Sequence, residues 1–222
     1  MKYTFVSVCS MLLCASSLFA QDAKPIKKST ESIYTGTYVG YNLLPTLNSL
    51  SSSSISAMEF SVDVGLKQKY FPVVEFGLEN RKEENSYYYY RSNGVYGKFG
   101  VNYNFLKATK KTPHNLFYIG GRYALGSAQY ALTTTQLGTN YWNETGAISM
   151  PSTHSLSAWG EIVVGVRAEM FPSFLLGANV RYAFSPHFYS KDSTYPTYLP
   201  GYGEFVPNKW LFAYSILYKL PF

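Results

Sequence analysis

From Met58 to Lys67 every even position is apolar (Met58, Phe60, Val62, Val64, Leu66), and every odd one is polar, charged or glycine (Glu59, Ser61, Asp63, Gly65, Lys67). That is the period of a strand with one oily face. Val74, Phe76 and Leu78 alternate in the same way with Glu75, Gly77 and Glu79, and Phe99, Val101, Tyr103 and Phe105 with Lys98, Gly100, Asn102 and Asn104. Further on, Ile162, Val164, Val166 and Ala168 face Glu161, Gly165 and Arg167, and Leu176, Ala178, Val180 and Tyr182 face Gly177, Asn179 and Arg181. Residues 35–44, 116–125 and 210–222 repeat the pattern more weakly. Together these give eight strands of about 9 to 11 residues, the length that crosses a bilayer when tilted.

The joins alternate as well. Short ones fall around Tyr70-Phe71-Pro72, at residues 106–114 and around Phe171-Pro172-Ser173, and long ones at residues 45–55, 82–94, 127–155 and 185–208. The expectation is an all-β protein, an eight-stranded antiparallel transmembrane β-barrel with short periplasmic turns and long extracellular loops. An echo at a spacing of one hundred (Gly65, Lys67, Phe71, Pro72, Gly77 and Arg81 against Gly165, Arg167, Phe171, Pro172, Gly177 and Arg181) fits either a four-strand duplication or recurrent turn chemistry.

With the apolar parity outward, the opposite parity delivers Glu59, Asp63, Lys67, Glu75, Glu79, Arg81, Lys98, Arg122, Glu161, Arg167, Glu169, Arg181 and Lys219 to the interior. Six acids meet seven bases in a barrel just wide enough for its own side chains to fill. They are expected to pair with one another and to plug the lumen, so that neither a porin nor an ion path results.

Composition narrows the class. Only 14% of the 222 residues are charged, 46% are hydrophobic and 18% aromatic, which excludes a disordered chain. Outside the N-terminus no apolar run reaches the roughly 20 residues of a spanning helix. Residues 1–20 read as a signal peptide, with Lys2, an apolar stretch from Phe5 and a boundary after Ala20; residues 21–32 read as a periplasmic leader and 33–222 as the barrel. Both cysteines, Cys9 and Cys14, fall inside the signal, leaving no disulfide and no cysteine metal site. Without Lys2 the chain has 18 basic and 13 acidic residues. Some of the excess lies at Lys24, Lys27 and Lys28 and at Lys107, Lys110 and Lys111. These read as solvated lysines near anionic lipid, with no nucleic acid as partner.

A soluble calycin-like barrel, with its oily face inward around a ligand, is the alternative fold. The last strand argues against it: Trp210, Phe212, Tyr214, Ile216, Tyr218, Leu220 and Phe222 form one uninterrupted apolar face. This face resembles the terminal signal read by the bacterial barrel-assembly machinery, with Tyr218 and Phe222 as its key residues. Four segments, Tyr70-Phe71-Pro72-Val73-Val74-Glu75, Gly100-Val101-Asn102-Tyr103-Asn104-Phe105-Leu106, Val164-Gly165-Val166-Arg167-Ala168 and Tyr198-Leu199-Pro200-Gly201-Tyr202-Gly203, resemble a family of uncharacterised Bacteroidota outer-membrane barrels. The resemblance implies an outer-membrane location and no particular activity.

Candidate chemistry is sparse. His114, His154 and His187 have no metal-ligand spacing, and no cofactor motif is present. A lipid-modifying hydrolase built on His154, Ser155 or Ser157 and Glu161 is the enzyme alternative, but His154 and Ser155 have opposite parity. Aromatics in the joins are more informative. Tyr87, Tyr88, Tyr89, Tyr90, Tyr141, Trp142, Tyr198 and Tyr202 offer rigid contact area with polar tips. The functional expectation is therefore a non-enzymatic membrane scaffold whose aromatic loops bind an envelope protein or glycan, within a larger complex or alone.

Overall fold

A computed structural model of the chain describes residues 33–51, 54–106, 114–134, 149–189 and 196–221, with the backbone alone for 149–151. The signal segment, the leader, Tyr141, Trp142 and Phe222 lie outside the described residues. The elements are β1 (Tyr34–Asn42), helix α1 (Leu43–Ser51), β2 (Ile55–Leu66), β3 (Tyr70–Glu84), β4 (Tyr88–Asn104), β5 (Leu116–Thr134), β6 (Ser149–Phe171) and β7 (Phe174–Ala183). They are followed by three two-residue strands, β8 (His187–Phe188), β9 (Tyr198–Leu199) and β10 (Gly203–Glu204), and by β11 (Lys209–Lys219).

Strands β1 to β7 and β11 pair in chain order, every pair antiparallel, and β11 returns to β1, so the sheet closes on itself as an eight-stranded barrel. The registers set its tilt. Paired residues lead from Asn42 through Glu59, Gly77, Tyr96 and Gly126 to Ser157 on β6. In the other direction they lead through Ser215 and Gly177 to Arg167 on the same strand. The two paths end ten residues apart, 167 against 157. A climb of about 33 Å over a girth of about 38 Å tilts the strands by about 40°.

Polarity is inverted relative to a soluble barrel. Val74, Phe76, Phe99, Phe212 and their same-parity neighbours are exposed, whereas Asp63, Glu75, Lys98, Glu161 and Arg181 are buried inside. Aromatics edge the apolar belt at the turn end, where Tyr70 meets Tyr103 (ring centroids 5.5 Å apart) and Phe174 meets Tyr218 (5.1 Å). At the loop end Tyr182 meets Trp210 at 4.9 Å and Phe184 at 5.3 Å. Beyond Leu78, Val95, Leu125 and Leu156 the exterior turns polar in a single row of register partners, Asn80, Asn93, Gln129 and His154. This inversion excludes the calycin arrangement.

Two expectations are corrected, and one open alternative is narrowed. Residues 82–94 are no long loop: β3 and β4 continue outward and meet in a tight turn at 85–87, so that with β5 and β6 they form a wall projecting past the polar row. Residues 45–55 are mostly helix α1, which also takes Leu43 and Leu44 out of the first strand. The hundred-residue echo does not mark equivalent positions. The hairpins turn at Leu66↔Tyr70 and Phe171↔Phe174, and Phe71 is buried where Phe171 is exposed. Phe71-Pro72 lies within β3, whereas Phe171-Pro172 runs from the end of β6 into its turn.

Candidate functional site

The lumen is filled in three tiers. At the turn end Tyr38, Phe71, Leu116, Tyr118, Val163, Leu175 and Leu217 form an apolar floor. Above it Arg167 grips Asp63 with both terminal nitrogens, Nη1 donating to Oδ1 at 3.1 Å, and stacks over Tyr38 with 4.9 Å to the ring centroid. Below it Tyr38 and Lys219 approach opposite nitrogens of His114, each at 3.0 Å. Burial and the Lys219 charge hold this imidazole below its ordinary pKa.

The middle tier is ionic. Glu75 accepts from Arg181 Nη1 at 2.7 Å and from Arg122 Nε at 3.1 Å. Asn179 and Asn102 accept from the same two guanidiniums, each at 2.8 Å. Glu59 accepts from Tyr96 Oη at 2.7 Å and Asn42 Nδ2 at 2.8 Å. Glu161 accepts from Lys98 Nζ and Trp159 Nε1, both at 2.8 Å. Single charges at this depth would be prohibitive; here each finds an opposite charge and hydrogen-bond partners. The space left between Asp63, Glu75, Asn102, Arg122, Arg167 and Arg181 is a cavity of about 30 Å³, on the scale of a trapped water molecule.

The upper tier is a plug. Residues 196–204 fold back into the barrel mouth and bury Pro196, Leu199, Pro200 and Tyr202. Positive φ at Gly201 (73°) and Gly203 (94°) lets the segment reverse there. Glu79 accepts from Gly201 N at 2.9 Å and from the Tyr198 hydroxyl. Lys98 donates to Gly201 O at 3.2 Å, and Trp159 meets Tyr202 edge to face at 5.6 Å. Burial and the Glu79 carboxylate raise the Tyr198 phenol, keeping it a neutral donor. The fit is close: a Cβ on Gly94 would stand 2.3 Å from Pro200 Cγ.

With this geometry in view, the whole chain, residues 1–222, matches the family described as a domain of unknown function, DUF6048. The chain belongs to that family. No curated protein matches it. Among solved structures, the crystal structure of Neisserial surface protein A (NspA) is similar over 84% of this chain and 99% of that one, at 13% identity and a TM-score of 0.33. The strand pairings and polarity stand independently of that likeness.

In this DUF6048 chain nine of the thirteen expected interior charges are buried: Glu59, Asp63, Glu75, Glu79, Lys98, Arg122, Glu161, Arg167 and Arg181. Arg81, Glu169 and Lys219 are half-buried, Arg81 lying over the Tyr198 ring at 4.2 Å. Lys67 is a correction: with φ of 51° it belongs to the β2–β3 turn and is exposed, because β2 ends at Leu66. Among the expected contact tyrosines, Tyr87 and Tyr89 are exposed, but Tyr90 and Tyr202 are buried and Tyr88 and Tyr198 half-buried. The inward parity of β4 takes Tyr88 and Tyr90, and the plug takes the other two. Tyr218 faces outward as its parity requires. The hydrolase residues do not converge: His154 is exposed, Ser155 is buried on the opposite face, and Glu161 is held by Lys98 and Trp159. Tyr96, Asn102 and Trp159, which complete the ionic tier, were not among the expected residues; their inward parity beside Lys98 and Glu161 was the available signal.

Proposed function

We propose that the chain is a non-enzymatic barrel of the outer membrane, a rigid scaffold with a closed lumen whose projecting wall meets an envelope protein or surface glycan. The observation that carries this reading is the inverted polarity, an apolar exterior closed around a charged interior. In water, apolar surface costs about 25 cal/mol per Å², and a continuous belt far exceeds the patches of a few hundred Å² that soluble monomers carry. Hydrocarbon removes that cost. The eight steps from Phe174 to Tyr182 climb about 20 Å at a tilt of about 40°, near the height of the apolar band in outer-membrane barrels. In this orientation the hairpin turns and His114 are periplasmic, and the turn at 85–87 is outside.

The filled lumen favours a scaffold over a transporter, and the divergence of His154 from Ser155 favours it over a hydrolase. Loops on a rigid frame are where binding resides, and exposed Tyr87 and Tyr89 supply suitable contact area at the tip of the wall. Native co-purification after mild detergent extraction tests the proposal. A specific partner should be retained by the wild type and lost from a Tyr87→Ser, Tyr89→Ser variant that still migrates as a folded barrel. Unchanged retention removes these tyrosines, and hydrolysis of lipid A by pure protein overturns the non-enzymatic reading.

A further inference from the structure

Strand β1 stops partway up the wall. It reaches its last partners at Asn42, opposite Ser215 and Glu59, yet β11 continues to Lys209 and β2 to Ile55. Above Asn42, no strand of the described residues stands between these two, and bare strand edges do not survive in hydrocarbon.

Helix α1 occupies the gap, packing on both β2 and β11. Asn42 Oδ1 accepts from Leu44 N at 3.3 Å, and the Tyr41 hydroxyl pairs with Thr46. On the bare edge of β2, Ala57 N donates to Ser49 Oγ at 2.7 Å, which itself donates to Pro45 O at 2.9 Å. A side chain of the helix thus stands in for the missing strand's carbonyl.

The helix reads Leu-Leu-Pro-Thr-Leu-Asn-Ser-Leu-Ser and carries no charge. Leu47 and Leu50, one turn apart, are 52% and 81% exposed. The chain leaves the wall opposite Glu59 and rejoins it at Ile55, a stretch flanked by outward-facing Met58 on β2 and Phe212 on β11. The helix thus sets two exposed leucines beside the outer end of the apolar belt.

We infer that α1 is a wall element embedded in the outer leaflet, with the acyl chains of the bilayer covering Leu47 and Leu50. The inference rests on the outer-membrane reading and adds to it a helix-closed seam between β2 and β11.

The test uses the full chain with Cys9 and Cys14 replaced by Ser, refolded into phosphatidylcholine vesicles containing brominated acyl chains. Single cysteines carrying a fluorophore are placed by Leu50→Cys or Leu47→Cys, with Val74→Cys as a belt reference and Asn80→Cys as a reference beyond the belt. Quenching at either helix position to at least half that at Val74, with little at Asn80, supports the inference. Quenching at Val74 but not at the helix overturns it while leaving the membrane reading intact. A disulfide between two unlabelled Leu50→Cys chains, formed in the vesicles on oxidation, makes a second copy the occupant and also overturns it. Absence of quenching at Val74 overturns the membrane reading, and this inference with it.

Discussion

Glu75 on β3 and Arg181 on β7 stand on opposite walls of the barrel, and their Oε2 and Nη1 atoms meet at 2.7 Å across the lumen. The bridge ties together strands that share no ladder. With Arg122 on β5 and Lys98 on β4 bonded into the same tier, the charges brace the barrel from within, where a soluble domain has an apolar core.

Glu75→Ala should therefore be strongly destabilising, because Arg122 and Arg181 lose the carboxylate they share. The expected loss is about 3–5 kcal/mol, read from urea unfolding in detergent micelles. A loss below about 1 kcal/mol would show that the bridge does not brace the barrel.

Gly201→Val should expel the plug without opening a pore. A Cβ there would stand 2.5 Å from the Tyr96 ring, at a backbone φ of 73° that a β-branched residue does not readily adopt, so residues 196–204 should become cleavable by protease while the barrel stays folded. Planar-bilayer recordings should show no large steady current from either protein, since the ionic tier below remains closed. A plug that stays protected, or a conducting wild type, contradicts this arrangement.

Strict parity made the barrel legible: Met58 to Lys67 alone specifies which face of β2 is oily, and a one-residue slip would reverse it. The interior charges followed from the same parity wherever the strand continued, and failed at Lys67, where it had ended. The wall and the plug were harder to read. Tyr87 to Tyr90 read as a loop because four tyrosines hide the alternation between exposed Tyr89 and buried Tyr90. Pro196 to Gly203 read as an exposed loop because turn residues look alike outside a barrel and folded into its mouth. The helix at Leu43 was invisible because nine uncharged residues following a strand show no change of period strong enough to mark it.

Phe222→Ser should reduce assembled barrel more than Tyr87→Ser does, since the outward face of β11 from Trp210 to Tyr218 is continuous and resembles an assembly signal. Heat-modifiable protein in the outer-membrane fraction measures the yield. Equal yields would remove Phe222 from that role.

Stability should decline on the acid side through His114. Burial and Lys219 depress its folded pKa, so as the pH drops the unfolded chain takes up the proton first. The contribution of the neutral ring is complete above about pH 6.5 and is lost as the pH falls from there through the lower folded value. His114→Gln should flatten this limb in unfolding midpoints between pH 8 and pH 5. An unchanged slope would show that His114 does not set it.

The central claim, an oily exterior made for lipid around a charged and sealed interior, meets its most direct test in where the protein is found and how it migrates. Cell fractionation followed by electrophoresis with and without heating should place the chain in the outer membrane and show a mobility shift on boiling. Recovery as a soluble periplasmic protein with one mobility would contradict the account.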